Sequence, residues 1–234
     1  MYGPGSLSWE YWTEPVPSSL GTVIPSTTPL EQLNITQDET EYMFYSTYNV
    51  DLPAGATVWI QGWHANTYSL FVDGKWVGAS YDNSHSGGGL VQSITIPSSV
   101  AAGTHNITIL SGSIGIDNYF GEDVGPSGQE QSGIVGYVHV NNNDITSNTW
   151  YQRPFLSGEI LQVYTSAGAS SVSWTPTSGA GVSTPLTWFQ TTFGNVPADG
   201  GSVLINMNGA GRGHFYINGI DMGRCVVARV LMWW

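Results

Sequence analysis

The sequence predicts an all-β protein made of two tandem jelly-roll β-sandwiches, and three observations lead there. From Tyr42 onward the chain breaks into short runs rich in β-branched and aromatic residues, separated by clusters of Gly, Pro, Ser and Asp-Gly. Only 9% of the 234 residues are charged, the bulk being Gly, Ser, Thr, Asn and aromatics, a mix suited to short strands and polar turns. Finally, "FVDGKWVG" (Phe71 to Gly78) returns as "YINGIDMG" (Tyr216 to Gly223). Both copies read as two strands joined at Asp-Gly or Asn-Gly, the pair that supplies a φ > 0 hairpin turn. The likeness continues upstream, where "MFYSTYNVDLPAGATVWIQ" from Met43 lies over "TWFQTTFGNVPADGGSVLIN" from Thr187. This sets Phe44 on Trp188, Thr47 on Thr191 and Pro53 on Pro197. One inserted residue reconciles about forty positions, as expected of a duplicated β unit.

The elements follow in chain order. Residues 1 to about 40 are rich in Pro, Ser and Thr and show no clear period, so they read as an irregular segment packed on the first sandwich. Strands are predicted at "YMFYSTYNV", "ATVWIQGW", "TYSLFVD", "KWVGAS", "VQSITIP" and "HNITIL". In the last of these, Ile107 and Ile109 alternate with Asn106 and Thr108, which places the isoleucines inward and the polar pair toward water. A loop over Ser111 to Ser132 precedes further strands at "GIVGYVHV" and "EILQVY", and a second loop-rich stretch leads to the repeat copy at Leu186. The expected domains are 1–148 and 149–234. Because the second copy has few residues after its hairpin, its sandwich is expected to close incompletely and to expose a strand edge.

Composition excludes several roles. Five Lys and Arg against seventeen Asp and Glu leave a formal charge of −12, a field that repels phosphate backbones, so nucleic acid is not an expected partner. No apolar run is long enough to span a membrane, and no signal peptide is visible at the start. The single cysteine, Cys225, rules out an intrachain disulfide or a thiolate zinc cluster and reads as buried and inert or as paired with another chain. Asn34 and Asn106 each begin an Asn-Ile-Thr sequon, which in a secreted protein accepts a glycan, and these lean the expected location to extracellular or lumenal.

Several stretches, taken together, resemble a known family. They are "LEQLNITQDETEYMFYSTYNV" from Leu30, "LFVDGKWVG" from Leu70, "HNITILSGSIGIDNYFG" from His105, "SGIVGYVHV" from Ser132, "WYQRPFLSGE" from Trp150, "PLTWFQTTF" from Pro185 and "GRGHFYINGIDMGR" from Gly211. In this order they are similar to the C-terminal, galactose-binding-like jelly-roll region of glycoside hydrolase family 35, the β-galactosidases, particularly the plant type. The resemblance implies the two-sandwich fold without the catalytic barrel. It also implies galactose-containing glycans or a glycosidase catalytic domain as partners. The chain departs from the family pattern at Gly115 to Gly121, where an expected arginine is missing, and after Arg224, where it reads "CVVARVLMWW".

No catalytic residue is expected. A retaining glycosidase needs two carboxyl groups about 5–5.5 Å apart, and the resemblance implies that both glutamates sit in the missing barrel. Glu39 with Glu41, and Glu122 with Asp123, read instead as solvated surface. The histidines His64, His85, His105, His139 and His214 are scattered and lack metal-ligand spacing. A calcium ion, which wants six to eight oxygens, has a weak candidate set in Asp117, Glu122 and Asp123, and no other cofactor is implied. A sugar site combines an aromatic platform with amide or carboxylate groups. The loops around the first hairpin offer Trp63, His64, Asn66 and Tyr68, then Tyr81, Asp82, Asn83 and His85, and both loops could share one rim. The same aromatics also read as packing, as does Trp76 within the hairpin. The expected function is thus a non-catalytic carbohydrate-binding or accessory sandwich. The alternatives are an assembly subunit whose second sandwich is completed by a partner chain, including a homo-oligomer, and a fragment of an active β-galactosidase.

Overall fold

The computed structural model describes residues 7–17, 19–63, 65–81, 90–115, 130–178, 182, 184–194 and 212–226. Its strands are β1 (Trp9–Thr13), β2 (Ile24–Ser26), β3 (Tyr42–Leu52), β4 (Thr57–Gly62), β5 (Asn66–Val72), β6 (Lys75–Tyr81), β7 (Leu90–Thr95), β8 (Gly103–Ser113), β9 (Ile134–Val140), β10 (Asn143–Asp144) and β11 (Trp150–Pro154). They continue with β12 (Thr175–Thr177), β13 (Thr187–Thr191), β14 (Arg212–Ile217) and β15 (Ile220–Val226). The helices α1 (Gln32–Thr36), α2 (Ser157–Ile160) and α3 (Ser166–Ala169) are each about one turn long. The fold is all-β, as the turn-rich composition predicts.

Contacts divide the chain into two compact units, Pro15–Ile160 and a second made of Met1–Glu14 with Leu161–Trp234. The boundary expected after residue 148 falls instead after Ile160, because β11 adds to the edge of β3, pairing Tyr151 with Ser46 and Arg153 with Phe44. Trp150, at the start of β11, is fully buried in the first core.

The first unit is an antiparallel sandwich of a four-stranded sheet, β10-β9-β4-β7, and a six-stranded sheet, β2-β11-β3-β8-β5-β6. Alternation sends Met43 and Tyr45 from β3, Val58 and Ile60 from β4, and Tyr68 and Leu70 from β5 into one core with Ile107 and Ile109 from β8. The isoleucines thus face inward as expected and Asn106 is exposed. Thr108 departs from expectation. It is only 4% exposed, and its hydroxyl meets that of Ser46 at 2.9 Å. The far side of the six-stranded sheet is covered too, with Phe44, Phe71 and Leu110 buried there. A polar residue on that face therefore needs a partner, and Ser46 supplies one.

One short element fixes a corner of the sandwich. Glu31 caps α1 by accepting from the backbone N–H of Leu33 and Asn34, and the same carboxylate accepts from Ser132 N at 2.7 Å. A cap and a loop tether are thereby made by one side chain.

The second unit holds the three-stranded sheet β12-β1-β13 and the hairpin β14–β15. Trp9–Thr13 was expected to be irregular and to lie on the first sandwich. It is instead a central strand, with Trp9 opposite both Thr177 and Thr191. Two glutamates anchor it: Glu14, just after the strand, accepts from Trp188 Nε1 at 2.6 Å, and Glu10, within it, from Gln190 Nε2 at 2.8 Å. In both cases the partner lies about 175 residues away in sequence, beyond the reach of local pattern.

Candidate functional site

The strand ends that carry the loops expected to share a rim lie at one end of the first sandwich. Gly62 at the end of β4 pairs with Leu90 and Ile134, Asn66 at the start of β5 pairs with Ser113, and Thr67 pairs with Tyr81. The β4–β5, β6–β7 and β8–β9 connections therefore leave the sandwich at one end.

The side chains there are spent on the protein itself. Trp63 is 2% exposed, and its indole N–H donates to Glu130 at 3.2 Å. Asn66 is buried, its Oδ1 accepting from the Ser111 hydroxyl at 3.1 Å, the Ser132 hydroxyl at 2.9 Å and Gly133 N at 3.1 Å. Tyr68 is fully buried and donates to the Gly133 carbonyl at 2.7 Å. Desolvation pushes the Tyr68 phenol far above its ordinary value, and that of Tyr45 as well. Both rings are wedged against glycine. A Cβ at Gly62 would lie 1.7 Å from the Tyr68 hydroxyl, and one at Gly133 would lie 2.2 Å from that of Tyr45.

This corrects the expected sugar platform for three of its members, since Trp63, Asn66 and Tyr68 form the polar underside of the rim. A stacking platform needs an open ring face. Tyr81, 55% exposed, keeps one. His64, Asp82, Asn83 and His85 lie outside the described residues, as do the calcium candidates Asp117, Glu122 and Asp123. Among the described residues no group of three or more His, Cys, Asp or Glu gathers as a metal site would. Glu39 is exposed, as expected of a solvated carboxylate.

The structure instead brings an aromatic and polar strip to the outer face of the four-stranded sheet. Trp59, 41% exposed, stands between Ser93 on β7 and His139 on β9. His139 stacks on Tyr137 at 4.3 Å, and its Nε2 lies 3.7 Å from Asp144 on β10. The signal was present in "TVWIQ", where Trp59 sits between two core residues, Val58 and Ile60, and so must point out. Trp76, expected to pack, is 48% exposed on the outer strand β6. In the second unit Tyr164 and Tyr216 stack at 4.3 Å, with Trp188 at 6.1 Å from Tyr216.

No family model matches the chain. Among curated proteins it is 26% identical over 92% of its length to "Beta-galactosidase 12" of Oryza sativa subsp. japonica, 27% over 94% to "Beta-galactosidase 6" of the same plant, and 29% over 92% to "Beta-galactosidase 8" of Arabidopsis thaliana. It spans only 24%, 26% and 25% of those proteins. Among solved structures, a GH2 β-galacturonidase from Eisenbergiella tayi bound to galacturonate overlaps 64% of this chain and 23% of its own, at 18% identity and a TM-score of 0.31. A β-D-glucuronidase from Dictyoglomus thermophilum overlaps 63% and 27%, at 15% identity and a TM-score of 0.31. Over almost its entire length the chain is therefore similar to plant β-galactosidases, and it spans about a quarter of their length.

Proposed function

We propose that this chain is a non-catalytic accessory β-sandwich region of a β-galactosidase-like protein, associated with galactose-containing glycans or with a glycosidase catalytic domain. The observation that carries the reading is the match itself, which runs through nearly all of this chain but only a quarter of each relative. The exposed Trp59, flanked by His139, whose Nε2 lies 3.7 Å from Asp144, supports a face suited to sugar, since an indole stacks on ring C–H groups while imidazole and carboxylate meet hydroxyls. Exposed Asn34 and Asn106 support an extracellular or lumenal setting. No helix among the described residues is long and apolar enough to cross a membrane.

Two assays on the purified chain test this. A chromogenic galactoside should be left intact, and hydrolysis would overturn the non-catalytic reading. Galactose and β-galactosides should change tryptophan fluorescence saturably, with the change lost in Trp59→Ala; a flat titration would leave only the bracing role. For the sequons, expression in a secretory host should add two glycans, seen as a mass shift removed by enzymatic deglycosylation.

A second reading, an assembly subunit, is favoured by the hairpin β14–β15. Ile220, at its turn, is a large apolar side chain left 67% exposed. A defined oligomer in sedimentation that ignores sugar would select this reading.

A further inference from the structure

The end of the first sandwich away from Trp63 carries an open cleft of about 470 Å³. We propose that this cleft holds a neutral polyhydroxylated ligand, one terminal sugar residue of a glycan. The choice of a sugar rests on the carbohydrate-associated reading above; the location does not.

Both sheets build the cleft. β3 ends at Leu52 and β8 begins at Gly103 on one side, while β9 ends at Val140 and turns through Asn141 and Asn142 into β10 on the other. The size falls within the range of small-ligand sites, roughly 300–1,000 Å³. Leu52 and Val140, 3% and 2% exposed, end the core and give the cleft an apolar floor.

Asn141 is committed to the scaffold. Its N–H donates to Thr57 O at 2.8 Å, its Oδ1 accepts from Thr57 N at 2.9 Å, and a φ of 52° holds the turn. Asn143 pairs with Val140, and directly opposed residues share a face, so its amide stands over the apolar floor. Among the described residues, the Asn142 and Asn143 side chains take part in no hydrogen bond, and Asp51 uses Oδ1 for the Thr104 hydroxyl at 2.8 Å. Two amides and one carboxylate oxygen therefore remain for a ligand.

An amide both donates and accepts, and a carboxylate accepts. Adjacent sugar hydroxyls, each donor and acceptor, match that set. Neither Lys nor Arg lines the cleft, so an anion finds no counter-charge. With one carboxylate the cleft also falls short of a calcium cage.

The test is a galactose titration of the ¹⁵N-labelled full chain, read on backbone and Asn side-chain amide signals. Saturable shifts are expected at the Asn142 and Asn143 side chains and at Gly103. Binding should weaken about tenfold or more in Asn142→Ala/Asn143→Ala and in Asp51→Asn, which keeps the acceptor for Thr104. Unchanged spectra outside the cleft would show that these variants remain folded. Shifts confined to Trp59 or Tyr81 would sink the cleft proposal while leaving the accessory reading standing. No shift anywhere would also sink it, and the galactoside assay would then decide the accessory reading separately. Saturable shifts of the same signals with calcium chloride alone, and none with sugar, would assign the cleft to a cation and overturn it.

Discussion

The hairpin β5–β6 turns at Asp73-Gly74 with φ of 48° and 76°, and the hairpin β14–β15 turns at Asn218-Gly219 with φ of 51° and 84°. Their registers also agree. Phe71 faces Trp76 and Val72 faces Lys75, as Tyr216 faces Asp221 and Ile217 faces Ile220. Even the irregularity is repeated, falling between Leu70 and Phe71 in one and between Phe215 and Tyr216 in the other. Burial separates them. β5 lies between β6 and β8, with Leu70, Phe71 and Val72 all buried, whereas Phe215, Tyr216 and Ile217 are half-buried in what is, among the described residues, a pair of strands. Turn chemistry and bulge are thus set by eight local positions, while the energy stored in the hairpin depends on the strand beside it.

The largest expected effect that sharpens this contrast is truncation of the paired aromatics. Phe71→Ala should cost about 3–5 kcal/mol, as for a buried Phe, in urea unfolding of the first unit. Tyr216→Ala should cost about 1–2 kcal/mol, mainly the stack on Tyr164. Equal losses would mean that the second hairpin is as deeply packed as the first.

The turn glycines come next. Both have positive φ, so alanine carries a backbone cost of about 1 kcal/mol at either. At Gly74 a Cβ would also lie 2.8 Å from the Val16 carbonyl, whereas at Gly219 the nearest atom is Thr165 Cγ2 at 3.4 Å. Gly74→Ala should therefore lower the urea midpoint more than Gly219→Ala. The reverse order would break the comparison.

The smallest effect concerns pH. Asp73, in the first turn, accepts from Asn106 N at 2.9 Å and meets His105 Nδ1 at 2.7 Å, while His105 Nε2 meets the Ala101 carbonyl at 3.0 Å. With an acceptor at each nitrogen the ring favours its protonated form. The hydrogen bond to Asp73 raises the His105 pKa, and the bonds from Asn106 and His105 lower that of Asp73. Lys75 lies on the same side as a weaker influence. His105 stabilises the fold fully below its ordinary value near 6.5, and this is lost as pH rises through the raised folded value. Asp73 contributes above 3.8, and its share is lost as pH falls through the lowered folded value. An NMR titration of the His105 ring should give a pKa above 6.5 that drops in Asp73→Asn. An unchanged value would remove Asp73 as the cause.

The rim around Trp63 combines features fixed locally with features fixed by distant residues. That the strands bearing its loops end together was legible, because antiparallel hairpins must return to the same end. That Trp63, Asn66 and Tyr68 point into the protein was not, because it depends on Glu130, Ser132 and Gly133, more than sixty residues downstream. Trp59 was legible by alternation, since its neighbours Val58 and Ile60 both belong to the core.

By itself the sequence determined the all-β class, the duplicated hairpin with its turn and the inward set Ile107 and Ile109, since φ preferences and a period of two act within a few residues. Only the tertiary structure decided that Trp9–Thr13 lies between β12 and β13, that Thr108 is buried and that the first unit runs on to Ile160. Each of these depends on strand edges and side chains brought together from distant parts of the chain, whose pairing no local pattern encodes.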